Sequence, residues 1–169
     1  IMPTPSLKTF PLCLAILFAV LLASPSQIQA RSLDEIKQSG TIVIGTRDYI
    51  PPIQYRDSAG ELVGIDPDLG REIAKQLGVS ITWKIMQGPK FRVPVLVDKE
   101  VDLVISSFSV TSDRLEKIAF SDAYFETGLA IMIRKSDKNS IRSWRDLSGR
   151  TVTSTQGSTG AALIGQHVP

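Results

Sequence analysis

The alternation of apolar and polar positions in the middle of the chain predicts three strands separated by two helices. The strands are a β-branched run at residues 41–44, an alternating stretch at Ser80–Ile85 and a mostly apolar run at residues 101–105. Apolar residues recur at helical spacing in residues 66–77, and a weaker helical pattern covers residues 91–99. Strands that alternate with helices favour an α/β fold with a mainly parallel sheet, whose ligands bind at the carboxyl ends of the strands.

The first of these helices has clear start and stop signals. Asp66 is the predicted N-cap, and Pro67 is the first helical residue, where a missing N–H costs nothing. Asp68 then faces the positive end of the helix, and Gly78 ends it. In the second helix, Pro94 interrupts the pattern near its start.

The chain after residue 120 predicts a less regular segment. An apolar strand at residues 128–133 precedes a polar stretch at residues 134–140, which is the best candidate for a domain boundary. Beyond it we expect a helical turn near Trp144, a strand at residues 150–153 and a helix that begins near Ala161.

The N-terminal stretch is typical of a secretory signal peptide, which we assign to residues 1–30. Lys8 supplies the positive charge, residues 12–23 form the apolar run and Ala30 is the small residue at the expected cleavage site. A membrane span needs about 20 apolar residues, and polar residues arrive here too early. Cys13, the only cysteine, lies in the apolar run, so we expect a periplasmic or secreted protein without disulfides.

Composition excludes several classes of function. Of the 19 basic and 17 acidic residues, the signal peptide contains only one basic residue, so the mature chain is close to neutral and we expect no nucleic-acid surface. His167 is the only histidine, and the mature chain has no cysteine, so we expect neither a metal site nor a hydrolytic triad. Residues 157–160 lack the lysine and the spacing of a phosphate-binding loop, and we expect no cofactor.

One arginine follows the third strand within a cluster of hydroxyl groups. Arg114 would join a short helix that Thr111 or Ser112 can cap, and a guanidinium beside free helix N–H groups favours a carboxylate. The alternative is an arginine on a solvated face that pairs with Glu116 or Glu126.

Two serines, Ser107 and Ser109, leave the same strand end. Their carbonyl and hydroxyl oxygens can accept hydrogen bonds from an ammonium group. The loop therefore offers partners for both ends of an amino acid.

Several motifs occur in an order that resembles one protein family. They lie at residues 64–69, 101–105, 111–114, 120–125 and 155–159. In this order they are similar to motifs of the bacterial extracellular solute-binding proteins that serve polar amino-acid ABC transporters. The resemblance covers residues 33 to about 165.

The resemblance implies a type II periplasmic-binding-protein fold with two α/β lobes. The first lobe would span residues 31–133, and residues 134–169 would form the hinge and a second lobe that is truncated at its C-terminus. Such proteins close over one amino acid in the cleft, through hinge strands near residues 133–136 here, and deliver it to a membrane permease. A monomer that needs no cofactor is implied.

The resemblance also implies roles for individual residues. Arg114 is similar to the arginine that clamps the ligand α-carboxylate. Ser107 and Ser109 match loop positions that contact the α-amino group and the carboxylate. Thr159, with Ser158 beside it, matches the second-lobe position at the carboxylate.

Two departures from the family pattern concern the first lobe. Tyr49 resembles the aromatic residue that packs over the ligand, but Ile53 stands where a second aromatic is common. Pro67 replaces an aliphatic residue, which the first turn of a helix tolerates.

Ligand choice depends on Arg92. Residues 91–96 resemble a segment of acidic-amino-acid binders, where the arginine meets the side-chain carboxylate, so we expect glutamate or aspartate. The alternative is a surface salt bridge of Arg92 with Asp98 or Glu100.

Two other functions use the same scaffold. A sensory input domain of a membrane receptor would need a transmembrane segment after the second lobe. A dehydratase similar to cyclohexadienyl dehydratase would need a general acid or base in the cleft, and none is identifiable from the sequence. We therefore expect a binding protein and not an enzyme.

Overall fold

The computed structural model describes residues 31–168, which form two small sheets and five α-helices. The strands are β1 (Thr41–Thr46), β2 (Tyr49–Ile50), β3 (Gln54–Arg56), β4 (Leu62–Val63), β5 (Ser80–Ile85) and β6 (Leu103–Val104). The helices are α1 (Leu33–Ser39), α2 (Ile65–Leu77), α3 (Arg92–Val97), α4 (Ser112–Leu115) and α5 (Thr159–His167). Short 3-10 turns lie at Pro89–Phe91, Lys135–Asp137 and Trp144–Leu147. The predicted signal peptide lies outside the described residues.

The main sheet is parallel, as predicted, and its strand order is β5-β1-β6. Ile44 in the central strand pairs with Trp83 on one side and Leu103 on the other. Because β1 and β6 are neighbours and run in the same direction, their carboxyl ends open onto the same edge of the sheet. β2, β3 and β4 form a separate antiparallel sheet from the long loop that follows β1.

Two apolar clusters cover the faces of the parallel sheet. One contains Ile36, Ile42, Ile44, Ala74 and Ile105, with α2 packed against it. The other contains Met86, Val95 and Val101, which join α3 to the sheet. The two helices that connect the strands are therefore held by the apolar positions whose spacing predicted them.

Helix α2 begins differently from the sequence prediction. Its N-cap is Gly64, which makes no side-chain capping bond, and the first helical residue is Ile65. The prediction of Asp66 as N-cap is therefore wrong, because its carboxylate is fully buried and accepts hydrogen bonds from other segments. Pro67 still lies in the first turn, where its missing N–H has no intrahelical partner to lose. Gly78 ends the helix in a left-handed conformation, as predicted.

The two strands predicted after residue 120 do not form. Residues 128–133 and 150–153 join no sheet in the part of the chain that the structure describes. The apolar content of residues 128–133 indicates burial, but a strand also needs a neighbour for its backbone groups, and no described segment pairs with either range. Leu129 and Met132 are accordingly exposed. The predicted turn near Trp144 and the final helix are confirmed.

The domain boundary at residue 134 stays a prediction. Within residues 31–168, no helix is both long enough and apolar enough to cross a membrane.

Candidate functional site

The candidate site begins where β1 and β6 end side by side. Arg47 follows β1 directly, and its Nε donates to the Oγ of Ser106, which follows β6, at 3.3 Å. Both residues are buried. The Arg47 guanidinium also lies 5.4 Å from the centre of the Tyr49 ring. The parallel pairing of β1 and β6 therefore places a buried positive charge at the carboxyl ends of these strands. This charge lies beside Tyr49, the aromatic residue predicted to cover a ligand.

Ser107, which follows Ser106 in the loop after β6, has an unusual backbone conformation. Its φ is 46°, which is left-handed and uncommon for a residue with a side chain. Its N–H donates to the Asp66 carboxylate at 2.8 Å, and its hydroxyl donates to Gln54 Oε1 at 2.9 Å. The backbone conformation of Ser107 therefore sets the positions of the next two residues, Phe108 and Ser109.

Asp66 connects this turn to a third segment. The Tyr124 hydroxyl donates to Asp66 Oδ1 at 2.9 Å, while Ser107 occupies Oδ2. Burial raises the pKa of Asp66, although the hydrogen bonds from Tyr124 and Ser107 and the charge of Arg47 act in the opposite direction. Burial and the nearby Asp66 carboxylate raise the pKa of the Tyr124 hydroxyl.

Arg114 joins the loop after β6 to the segment before α5. One of its terminal nitrogens donates to the Ser109 carbonyl at 2.6 Å, and the other donates to the Gly157 carbonyl at 3.1 Å. Thr159 Oγ1 lies at 3.5 Å from the first. Burial lowers the pKa of Arg114. In the described residues Arg114 forms no salt bridge, so the predicted alternative of a surface pair with a glutamate is wrong.

Arg114 lies in the last turn of the short helix α4. Its N-cap is Thr111, one of the two predicted caps, although the Thr111 side chain makes no capping bond. A cleft of about 560 Å³ lies between this helix and α5. Ser158 caps α5 by accepting from the Ala161 N–H at 3.1 Å, so its hydroxyl lies at the positive end of that helix.

Arg92 is a buried charge. It is 4% exposed, and within residues 31–168 its Nε donates no hydrogen bond. Burial, followed by the charges of Arg47 and Arg114, lowers its pKa to about 9. The predicted surface pair is wrong because Arg92 lies inside and Glu100 pairs with Lys84 instead.

Phe108, in the loop after β6, lies against the guanidiniums of both Arg92 and Arg114. The Arg92 guanidinium lies 5.1 Å from the ring centre and the Arg114 guanidinium lies 4.5 Å from it, so each contacts the aromatic ring. The buried Nε2 of Gln54 also lacks a hydrogen-bond partner among the described residues. The site thus combines three guanidiniums with one buried carboxylate and leaves donors unused, an arrangement that attracts an anion.

The structure brings together most of the predicted site residues. Arg114, Ser109 and Thr159 meet directly, Ser107 lies at the same strand end, and Arg92 joins them through Phe108. Tyr49 is half exposed and joins the group only through Arg47. Within residues 31–168, no group of three or more histidine, cysteine or acidic side chains could hold a metal ion.

Sequence reasoning missed Arg47, the role of Asp66, and Gln54, Phe108 and Tyr124. For Arg47 a usable signal existed, because a charged residue directly after a buried strand lies at the binding edge of a parallel sheet. For Asp66 and Tyr124 no local signal existed, since their contact joins residues 58 positions apart.

Comparisons with known proteins relate the chain to one family. Residues 42–161 match the family model of the bacterial extracellular solute-binding proteins, family 3. The chain is similar to the lysine/arginine/ornithine-binding periplasmic protein of Escherichia coli strain K12, with 36% identity over 127 residues. That similarity covers 75% of this chain and 48% of the relative. The chain spans about half the length of the curated relatives it matches.

Solved structures show the same fold. The arginine-bound form of truncated ArgBP from T. maritima matches with a TM-score of 0.74 and 36% identity, over 79% of this chain and 63% of that one. The ancestral amino acid-binding protein AncCDT-1, described as a precursor of cyclohexadienyl dehydratase, matches with a TM-score of 0.71 and 30% identity, over 82% of this chain and 62% of that one. The predicted type II periplasmic-binding-protein fold is thereby confirmed.

Proposed function

The chain belongs to the bacterial extracellular solute-binding proteins of family 3, and on that premise we propose that it captures a polar amino acid outside the cytoplasm for an ABC transporter. The observation that carries the proposal is the position of Arg114, which contacts Ser109 on one side of the cleft and Gly157 on the other. Closure of two lobes over a ligand would pair the cleft charges away from water. The loaded protein would then dock on its membrane permease as a monomer.

In this proposal the α-carboxylate of the ligand lies against Arg114. The guanidinium offers paired donors, and the capped end of α5, with Ser158 and Thr159, adds the positive end of a helix dipole. The Ser107 and Ser109 oxygens face the α-amino group, and Tyr49 covers the ligand from the first lobe. These are the partners that an amino acid zwitterion requires at its two charged ends.

The side chain of the ligand is acidic in this proposal, so the ligand is glutamate or aspartate. Arg92 is a buried cation whose Nε donates to no described residue, and Arg47 lies close enough to lower its pKa. A side-chain carboxylate would supply the missing partner and offset the repulsion between guanidiniums. The names of two relatives specify cationic ligands, but a cationic side chain beside Arg92 would add another positive charge.

The burial and hydrogen bonds of Asp66 favour a binding protein over a dehydratase. Asp66 is a buried carboxyl with a raised pKa, which is the property expected of a general acid. Both of its oxygens, however, already accept hydrogen bonds from Ser107 and Tyr124, and the residue is not exposed. Burial therefore keeps its carboxyl group from a ligand in the cleft, and its hydrogen bonds give it a structural role.

Calorimetric titration of the full-length protein with L-glutamate, L-aspartate, L-glutamine and L-arginine tests the proposal. We expect glutamate or aspartate to bind at least about 10-fold more tightly than glutamine, because glutamine lacks the charge that Arg92 would pair with. L-arginine should bind least well. Arg92→Gln should reduce the preference for glutamate over glutamine, whereas Arg114→Ala should weaken every ligand.

Lys75→Gln is the matched control. It also removes one positive charge, but the Lys75 side chain is 80% exposed on α2, so affinity should not change. Tightest binding of L-arginine would overturn the acidic specificity alone. Failure of every amino acid to bind would overturn the function itself.

A further inference from the structure

Three segments that are distant in the sequence meet at one buried carboxylate. Asp66 lies in the first turn of α2, Ser107 in the loop after β6, and Tyr124 in the irregular segment that follows α4. The Ser107 N–H and the Tyr124 hydroxyl donate to different oxygens of Asp66, at 2.8 and 2.9 Å. Since Asp66 is completely buried, its charge is satisfied by these neighbours instead of by water.

Ser107 requires such a partner because of its backbone. A residue with a Cβ is disfavoured at a φ of 46°, and it keeps that conformation only where the surroundings hold it. A hydrogen bond from its N–H to a carboxylate is stronger than one to a neutral acceptor. The Asp66 carboxylate thus stabilises a conformation that the serine would otherwise tend to leave.

The conformation of Ser107 determines where the rest of the binding loop lies. Two residues later, the Ser109 carbonyl accepts from Arg114, and between them Phe108 contacts the guanidiniums of Arg92 and Arg114. A change in the backbone at Ser107 would therefore displace each of these groups. Because Asp66 is completely buried and each of its oxygens accepts from one of these segments, its influence on a ligand would pass through them.

We propose that Asp66 and Tyr124 are positioning residues that hold Ser107 in its left-handed conformation and thereby orient the Ser109 and Arg114 partners of the ligand. The inference rests on the proposed function, since the orientation matters only if this loop binds a ligand. Tyr124 fixes the Asp66 carboxylate, and the carboxylate fixes the loop.

The first measurement needs no ligand. In the full-length protein, the Ser107 amide proton should resonate far downfield and exchange slowly with solvent, because its acceptor is a buried carboxylate. Asp66→Ala should move this resonance upfield and accelerate its exchange. Asp66→Asn should have a smaller effect, since the amide oxygen can accept from Ser107 while its NH₂ donates to the Tyr124 hydroxyl.

The second measurement uses ligand affinity in a double-mutant cycle. Asp66→Ala should weaken L-glutamate binding by about 10-fold, and Tyr124→Phe by about 3-fold. The Ser107→Gly change allows the left-handed conformation without a supporting carboxylate. In that background, Asp66→Ala should cost clearly less affinity than it does with Ser107 present, which a merely structural role for Asp66 would not produce.

The outcomes separate this inference from the proposed function. If Asp66→Ala costs the same affinity in both backgrounds, or if the Ser107 amide is unchanged in it, the positioning role is overturned. If Asp66→Ala does not fold, the Ser107 amide in Tyr124→Phe decides, and an unchanged resonance and exchange rate there overturn the role. If no amino acid binds, the proposed function fails, while the amide measurement still decides whether Asp66 holds Ser107.

Discussion

The apolar cluster that packs against α2 and the loop end of the same sheet, meaning the residues at the carboxyl ends of its strands, differ in what burial costs. In the cluster, Ile44 is fully buried and its neighbours Ile42 and Ala74 are apolar, so burial is favourable for each residue. At the carboxyl ends of the strands, the buried Arg92 has a donor with no partner among residues 31–168, and Ser107 has a disfavoured backbone conformation. The first region stabilises the fold, whereas the second carries local costs.

These costs have a physical meaning at a binding site. A buried donor without a partner raises the free energy of the unliganded protein, and a ligand that supplies the partner removes that cost on binding. A core residue has no comparable gain to make. The comparison therefore predicts that substitutions in the cluster change stability and not affinity, while substitutions at the loop end can change the two in opposite directions.

The largest effect on stability is expected for Ile44→Ala. Removing a fully buried side chain from the central strand should lower the free energy of unfolding by about 3 kcal/mol, with Ile44→Val costing about 1 kcal/mol. Urea denaturation followed by circular dichroism measures both. Affinity for L-glutamate below the unfolding transition should stay within about 2-fold, and a larger change would show that the cluster and the site are not separable.

The largest effect on affinity is expected for Arg114→Ala. Losing the paired guanidinium donors should weaken ligand binding by about 100-fold, which corresponds to about 3 kcal/mol. Arg114→Lys keeps the charge but lacks the paired donors of the guanidinium, so it should recover only part of the affinity. Calorimetry on the three proteins is the measurement. Equal affinity of the alanine variant and the wild type would contradict the proposed role of this residue.

Arg92→Met should change stability and affinity in opposite directions. Replacing the buried guanidinium with an apolar side chain of similar length should raise the free energy of unfolding by about 1 kcal/mol. It should also weaken L-glutamate binding by about 10-fold while affecting L-glutamine much less. Urea denaturation and calorimetry test the two parts, and a variant that is less stable than the wild type would break the comparison of the two regions.

The predictable part of the molecule is the part in which local pattern and burial coincide. Helical spacing in α2 and the alternating run of β5 gave correct elements because their apolar residues face the cluster. The apolar run at residues 128–133 had an equally clear pattern, but a strand depends on a partner that its own sequence does not contain.

The site was harder to predict because an aspartate or an arginine can have either of two roles, one at the surface and one in the interior. An aspartate at the start of a helix usually caps it, whereas Asp66 turns inward to accept from Ser107 and Tyr124. Likewise an arginine near two acidic residues usually lies at the surface, yet Arg92 is buried against Phe108. In both cases the tertiary neighbours, which lie far away in the sequence, decide the role.

Gly157→Ala is expected to have a small effect that reports on closure. Gly157 has a φ of +77°, and an added Cβ would lie 2.6 Å from the Cα of Lys90. The loop before α5 could then no longer approach Lys90 as closely, and its carbonyl would move away from Arg114. We expect calorimetry to show ligand affinity about 5-fold weaker, which corresponds to about 1 kcal/mol.

Gly165→Ala is the matched control for this last substitution. Gly165 lies in α5, where an added Cβ would meet no atom within 4 Å, so the exchange should raise stability by about 0.5–1 kcal/mol through helix propensity and leave affinity unchanged. The two alanines thus add the same group to one short region with different expected results. If both leave affinity unchanged, the contact of Gly157 with Lys90 is absent from the liganded state, and closure does not depend on it.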